Sequence, residues 1–184
     1  MEEKKITTYQ MAVTALMAAV LCVTGPLTVP IGAIPISLAN FVICLTVWLL
    51  GAKFDTLSVA IYLAIGLVGI PVFSGYGAGL AKLAGPTGGY LVGYLLLSFI
   101  GGLFIEKSKG NPVVSAVGLV LGDAACYVLG TAWFVFQMQC ELSYALAVCV
   151  YPFIALDLAK IVVSCVVGAL LRKRLTQAGV LKMA

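Results

Sequence analysis

The chain has 184 residues, of which 62% are hydrophobic and only 10% are charged, and its mean hydropathy is +1.15. Water-soluble domains carry roughly 25% charged residues, so this composition excludes a soluble globule and leaves no room for a separate soluble catalytic domain. The formal net charge of +4 is small and spread along the chain, which gives no indication of a nucleic-acid partner.

Apolar runs and the breaks between them predict an all-α membrane protein, a single domain over residues 1–184 built as a bundle of six transmembrane helices. The predicted spans, in chain order, are Thr7–Thr24, Ser37–Ala52, Thr56–Ile70, Thr87–Ile105, Val113–Phe136 and Ser143–Leu171. Only the tripeptide Lys53-Phe54-Asp55 separates the second span from the third, which predicts a tight antiparallel hairpin.

The distribution of basic residues predicts the orientation of these spans. Loops on the cytoplasmic side of a membrane carry an excess of Lys and Arg. The N-terminus, the second and fourth connections and the tail hold nine cations, whereas the alternate connections hold only Lys82. The nine are Lys4, Lys5, Lys53, Lys107, Lys109, Arg172, Lys173, Arg174 and Lys182. Both termini are therefore expected in the cytoplasm of a multi-pass protein of the cell membrane.

The residue inventory also limits the chemistry that the chain can carry out. It contains no histidine, which excludes imidazole catalysis and histidine-ligated metal. A G-x-x-x-x-G-K-[ST] run is absent as well, so the chain cannot hydrolyse ATP by the P-loop route. Its six cysteines form no C-x-x-C pair and are expected to pack as small hydrophobes. We therefore expect neither an enzyme nor a protein with a metal or cofactor of its own.

The connection after the first span, residues 25–36, is unusually apolar for a loop. It contains three prolines, and no charged residue occurs between Lys5 and Lys53. Proline prevents a regular helix, and irregular backbone at membrane depth is tolerated only where it packs on protein or lines a cavity. We therefore expect a lid folded over an external pocket. The alternative is an ordinary apolar surface turn.

The second external connection, residues 71–86, is rich in glycine and leads into Thr87-Gly88-Gly89-Tyr90 at the start of the fourth span. Repeated glycines allow the backbone to approach a ligand closely. We expect Thr87 to cap the new helix, whose free N–H groups would then face a polar ligand. The alternative is a flexible connector without a binding role.

Three charged residues lie well inside the predicted spans, namely Asp123, Asp157 and Lys160. An Asp or Lys at the centre of a spanning helix costs about 2.5–3.5 kcal/mol, so none is expected to face lipid. Asp157 and Lys160 are three positions apart and share one helical face, which must point into the bundle. The alternative is structural: the pair neutralises itself and pins the bundle, and Asp123 bonds the hydroxyl of Tyr127.

These polar groups are expected at one depth in the membrane. A rise of about 1.5 Å per residue puts Asp157 about 22 Å above Arg172, and the same arithmetic brings Asn40, Tyr90 and Asp123 into that layer. The layer lies in the outer half of a hydrocarbon core about 30 Å thick, below the two unusual loops. It suits a small amphipathic solute with an anionic end. A proton-coupled carrier that uses one of the two carboxylates remains the alternative.

The first span carries a stripe of small residues. Ala15 and Ala19 form a small-x-x-x-small step, which allows another helix to approach closely. The neighbour is either a separate partner protein or a helix of the same bundle, and the sequence leaves both open.

Two runs rich in glycine and proline complete a pattern that spans nearly the whole chain. They are Gly69-Ile70-Pro71-Val72-Phe73 and Gly85-Pro86-Thr87-Gly88-Gly89-Tyr90-Leu91. Together with the Pro-rich first loop and the Asp157 and Lys160 pair in a six-helix protein, they resemble the BioY family. Its members are the biotin-binding substrate (S) components of energy-coupling factor (ECF) transporters.

The resemblance implies a division of labour between chains. This chain would capture biotin from the external side with high affinity and deliver it while docked on an ECF coupling transmembrane subunit. Two cytoplasmic ATPase subunits would energise uptake, and ATP would be used only by those partners. The resemblance also implies that Ala15 and Ala19 form the docking face.

The resemblance further implies how the ligand is held. Asp157 would accept from the ureido N–H groups, and Lys160 would meet the carboxylate or the ureido oxygen. Phe73 and Tyr90 would pack on the ring system, and Asn40 would add a polar contact. The remaining implied binding residues are Gly88, Gly89, Asp123, Ile34 and Pro35, the last two from the loop that closes the top.

Overall fold

The computed structural model of the chain describes residues 6–29 and 35–179. Its helices are α1 (Thr8–Thr24), α2 (Leu38–Leu67), α3 (Gly79–Leu83), α4 (Gly88–Lys107), α5 (Pro112–Met138), α6 (Leu142–Cys149) and α7 (Tyr151–Gln177). A short 3-10 helix covers Ser74–Tyr76, and two strands of two residues each, β1 (Thr28–Val29) and β2 (Ile36–Ser37), pair in antiparallel fashion. Among the described residues, α2, α4, α5 and α7 are long and apolar enough to cross a membrane, and α1 is a shorter apolar helix.

Local capping explains where several helices begin. Thr7 and Gln10 form a capping box at the start of α1, and the Ser37 hydroxyl accepts a hydrogen bond of 3.0 Å from the Ala39 N–H at the start of α2. Asn111 caps α5, which has Pro112 in its first turn. These side chains satisfy N–H groups that have no partner inside the helix. The predicted spans at α1, α4 and α5 agree with the structure within two residues at either end.

The helix α2 consists of two arms joined at Gly51, where φ is 72° and ψ is −177°. Such a backbone is open essentially only to glycine. The Ala52 N–H, the first of the second arm, donates to Glu106 Oε1 of α4 at 2.8 Å. Ser37 before the first arm and Tyr62 in the second arm line the same cavity, so the chain reverses between the arms. The predicted turn at Lys53-Phe54-Asp55 was therefore wrong in position, because those residues are helical.

The predicted span Ser143–Leu171 was wrong as a single helix. The structure breaks it at Val150, where φ is −121° and ψ is −59°, and begins α7 with Pro152 in its first turn. Proline has no N–H to continue the hydrogen bonds of the preceding helix and clashes with its last turn. Hydropathy is high on both sides of this break, so the pattern of apolar residues alone predicts one helix where the structure has α6 and α7.

The core lies between α2, α4, α5 and α7, with α1 packed against α2. Trp48, Tyr62 and Phe73 are its largest fully buried side chains. Glycines allow α4 and α5 to pack very closely, since a Cβ atom at Gly93 would lie 2.7 Å from the Cys126 sulfur. This close packing leaves the polar side chains of the helices facing one another near one end of the bundle.

The two unusual loops are held to the bundle by identifiable contacts. The first loop is pinned at its ends by the pairing of β1 with β2, and Ile34 lies outside the described residues. The second is fastened by the Trp133 indole, which donates to the Gly85 carbonyl at 2.9 Å, and by the Gln137 amide, which donates to the Ala84 carbonyl. The predicted cap at Thr87 was wrong, because its side chain makes no capping hydrogen bond.

Candidate functional site

Polar side chains from four helices converge on a cavity of about 60 Å³. The first arm of α2, together with α4, α5 and α7, supplies most of its wall. The lining residues are Pro35, Ser37, Asn40, Tyr90, Tyr94, Asp123, Cys126, Tyr127, Cys149, Phe153, Asp157 and Lys160. We call the cavity lined by these residues the central cavity.

The charged pair on α7 faces this cavity. Asp157 is 4% exposed, and the Lys160 ammonium lies 2.8 Å from Asp157 Oδ1. The same ammonium lies 3.4 Å from the Ser37 carbonyl oxygen, and the Tyr127 hydroxyl donates to Asp157 Oδ2. The pair therefore points into the bundle, as the cost of charge against lipid requires, and it borders an open volume.

The second carboxylate of the cavity has a different partner from the one considered from sequence. Asp123 accepts a hydrogen bond of 3.1 Å from the Asn40 amide on α2, whereas the Tyr127 hydroxyl goes to Asp157. The alternative that Asp123 bonds Tyr127 was therefore wrong. Two carboxylates and one ammonium share the cavity, so a bound solute meets both hydrogen-bond acceptors and a cation.

A second, smaller cavity of about 40 Å³ adjoins the first. It shares Pro35, Ser37, Tyr90 and Tyr94 with the central cavity. Its further lining residues are Tyr62, Ser74, Thr87 and Leu91. We call it the hydroxyl lobe, because no charged side chain lines it and three of these four further residues, Tyr62, Ser74 and Thr87, carry hydroxyl groups. The charged side chains therefore line the central cavity, and the adjoining hydroxyl lobe is neutral and polar.

Six of the residues predicted for binding are brought together at the central cavity: Pro35, Asn40, Tyr90, Asp123, Asp157 and Lys160. The structure does not bring the other described ones there. Phe73 is fully buried and packs its ring edge-on against Tyr62, with the ring centroids 5.6 Å apart. Gly88 and Gly89 border a separate apolar groove beside Trp133.

Sequence reasoning missed several lining residues that helical spacing would have revealed. Cys126 and Tyr127 lie three and four positions after Asp123, and Phe153 lies four before Asp157, so each shares a face with a residue already identified. Tyr94 follows Tyr90 by one turn in the same way. The face of a helix that carries a buried charge also carries its apolar neighbours.

The small-residue step on α1 lies outside the packed core. Ala15 and Ala19 are exposed, while Thr14, Ala18 and Leu21 face the rest of the bundle. Within the described residues, this exposure favours the separate-partner alternative over packing of Ala15 and Ala19 inside the bundle. A helix of another protein has access to this face.

The residues that the structure describes contain no group of three or more Cys, Asp or Glu side chains placed to hold a metal ion. The arrangement places hydrogen-bond acceptors, one cation and aromatic side chains around one cavity. The sequence model of the BioY family matches residues 1–177. The chain belongs to the BioY family.

Individual relatives agree with this membership. The biotin transporter BioY of Thermotoga maritima is 35% identical over 164 residues, which cover 89% of this chain and 96% of that protein. The probable biotin transporter BioY of Pyrococcus horikoshii is 34% identical over 151 residues, which cover 82% of this chain and 88% of that protein.

The fold agrees as well. The crystal structure of the S component for biotin from an ECF-type ABC transporter matches with a TM-score of 0.82 at 33% identity. The match covers 89% of this chain and 90% of that one. The chain therefore has the fold of a membrane S component.

Proposed function

We propose that this chain captures biotin and takes it up across the cell membrane as the S component of an ECF transporter. It is a transport protein and not an enzyme. The BioY relatives that it resembles are likewise named as transporters or transporter components. The observation that carries the proposal is the Asp157 and Lys160 pair, enclosed in a cavity rather than sealed against other helices. An ion pair of this kind gains little over an apolar replacement, so its presence indicates contact with a ligand.

The separation of the two charged groups constrains the pose. Biotin carries a ureido edge with two N–H donors beside one carbonyl acceptor, and a carboxylate at the end of an apolar chain. Because Lys160 Nζ and Asp157 Oδ1 are only 2.8 Å apart, both contact the same end of the ligand. The ureido edge offers a donor and an acceptor side by side, so Asp157 accepts its N–H and Lys160 donates to its carbonyl.

The tail of the ligand then points into the hydroxyl lobe. Ser74 and Thr87 supply hydroxyl donors there, and hydroxyl groups bond a carboxylate well in an enclosed site. Tyr90, Tyr94 and Phe153 form the apolar walls between the two ends, against which the fused rings pack. Asn40 and Asp123 border the ureido end.

The topology proposed for this function has six crossings with both termini in the cytoplasm. The crossings are α1, the two arms of α2, α4, α5 and α7. Basic residues cluster at the end of the bundle that contains Gly51 and Arg172, and this end is cytoplasmic by the positive-inside rule. The central cavity then opens toward the outer half of the membrane, where biotin arrives.

The energising partners are a coupling transmembrane subunit and two cytoplasmic ATPases. The chain itself has no P-loop, so ATP is used by those subunits. The exposed step of Ala15 and Ala19 on α1 supports docking of the coupling subunit there, because small side chains allow two helices to approach closely in lipid. No cofactor of its own is needed.

Equilibrium binding of labelled biotin to the detergent-purified chain tests the proposal. Loss of one partner of a buried charge pair costs 2–5 kcal/mol, so Lys160→Met and Asp157→Asn should each weaken binding about 30-fold or more. Two matched controls change the same residue types away from the cavity: Lys82→Met and Asp55→Asn. They should bind like the wild-type chain. Wild-type affinity in both cavity variants would remove the site assignment.

A further inference from the structure

A further cavity lies at the opposite end of the bundle from the central cavity and the hydroxyl lobe. Its volume is about 440 Å³, compared with about 60 Å³ for the central cavity. It is formed by the start of α1, the turn between the arms of α2, the end of α4, the following connection and the end of α7. The lining residues are Gln10, Trp48, Leu49, Leu50, Gly51, Lys53, Phe54, Glu106, Lys109 and Arg172. We call it the basal cavity.

Three cations from separate elements line the basal cavity, and none of them has a carboxylate partner among the described residues. The three are Lys53, Lys109 and Arg172. Within residues 6–29 and 35–179 the salt bridge found is that between Lys160 and Asp157, at the central cavity. The one acid of the lining, Glu106, already accepts the Ala52 N–H at 2.8 Å through Oε1. The positive charges therefore repel one another until an anion joins them.

The wall between these cations is apolar. Leu49 and Phe54 are half-buried and present this apolar surface to the cavity, whereas Trp48, at 1% exposed, and Leu50 are buried. The Trp48 indole Nε1 is also buried, and no acceptor for it exists among the described residues. A free phosphate or an acidic peptide would match the cations but would gain nothing from the apolar wall. A phospholipid matches both, with a phosphate beside carbon chains.

We propose that the basal cavity binds an anionic phospholipid, with the phosphate group beside Lys53, Lys109 and Arg172 and its glycerol and upper acyl carbons along Leu49 and Phe54. Basic pockets between spanning helices on the cytoplasmic side bind anionic head groups in this way. The bound lipid screens the three cations and bridges α2 to the end of α7. This site is separate from the biotin site, so the two proposals fail independently.

Binding of a fluorescent phosphatidylglycerol to the detergent-purified full chain tests the proposal. Each surface cation contributes about 1 kcal/mol to the attraction of anionic lipid, so the double variant Lys53→Gln with Arg172→Gln should weaken binding about 30-fold. The control removes the same charge at the same end but outside the cavity lining, with Lys107→Gln and Lys173→Gln. We expect its affinity to stay within about 3-fold of wild type. If the cavity double variant does not fold, Lys109→Gln alone should weaken binding about 5-fold.

Competition identifies the occupant. Unlabelled phosphatidylglycerol should displace the probe, whereas phosphatidylcholine with the same acyl chains and inorganic phosphate at the same concentration should not. Displacement by phosphatidylcholine as strong as that by phosphatidylglycerol would mean an acyl-chain site, and equal displacement by phosphate would mean a free-anion site. Either result overturns the proposal, as does equal loss of affinity in the cavity variant and its control, or absence of binding to the wild-type chain.

Discussion

At the scale of single residues, the carboxylate of Asp157 is held from two sides. Lys160 contacts Oδ1 and the Tyr127 hydroxyl donates to Oδ2, so the orientation of the carboxylate in the cavity is set by side chains on two different helices. Asp123 is held by a single donor from Asn40. A ligand that bonds Asp157 meets a carboxylate already oriented, which lowers the entropy lost on binding.

The hydrogen bond from the Tyr127 hydroxyl to Asp157 can be removed by one substitution that leaves the charge of the cavity unchanged. Tyr127→Phe deletes the donor to Asp157 Oδ2, and hydrogen bonds to charged groups contribute about 1.5–3 kcal/mol. We expect biotin affinity to fall about 10-fold, because the carboxylate is no longer fixed in place. The measurement is equilibrium binding, with Tyr144→Phe as the control, since Tyr144 is exposed and outside the cavity. Unchanged or tighter binding would show that the hydroxyl competes with the ligand instead of positioning Asp157.

At the scale of secondary-structure elements, one glycine decides how α2 is built. Sequence hydropathy predicted two spans around this point, and the structure contains two arms, but the turn occurs at Gly51 and not at the charged tripeptide after it. The reason is a contact between elements: Glu106 of α4 caps the Ala52 N–H. A partner that lies far along the chain cannot be read from the local pattern of apolar residues.

Gly51→Ala should destabilise the protein more than a glycine substitution at a similar φ elsewhere. A Cβ atom at Gly51 would lie 2.1 Å from Glu106 Oε1. The Glu106 side chain must therefore move away and lose its hydrogen bond from the Ala52 N–H. With the strained backbone, the loss should be about 2–4 kcal/mol. Gly75 has a φ of 68°, and nothing lies within 4 Å of the added Cβ, so Gly75→Ala should cost about 1 kcal/mol. Unfolding in detergent measures both, and equal losses would contradict the role of the Glu106 contact.

At the scale of the whole molecule, no residue of α1 is among those that line the central cavity, and α1 carries the exposed face that we propose for docking. The central cavity is lined mainly by α2, α4, α5 and α7, whereas Ala15 and Ala19 on α1 are exposed. Binding and docking should therefore be separable by mutation. This separation is what a substrate-binding subunit requires, because it must hold biotin and meet its motor through different surfaces.

The double variant Ala15→Trp with Ala19→Trp should bind biotin like the wild-type chain but lose uptake in cells that express the ECF module, because two indoles block close helix approach. Ala155→Trp with Ala159→Trp is the matched control, since these alanines have the same spacing and are exposed on α7. It should keep both activities. Loss of binding in the α1 variant would assign that face to internal packing.

A separate measurement tests the alternative of a proton-coupled carrier. If the purified chain alone, reconstituted in vesicles, takes up biotin when a pH gradient is imposed, that result would favour the carrier.

The sequence by itself determined the membrane class, the limits of α1, α4 and α5, and the common depth of Asp157, Asp123 and Asn40, because hydropathy and the rise of a helix are local properties. Only the tertiary structure decided which side chains meet. Tyr127 turns to Asp157 and not to Asp123, and Phe73 enters the core instead of the cavity. The first outcome depends on how α5 and α7 are rotated about their axes, and the second on how the loop after α2 folds back onto the core. Both are set by packing against residues distant in the chain.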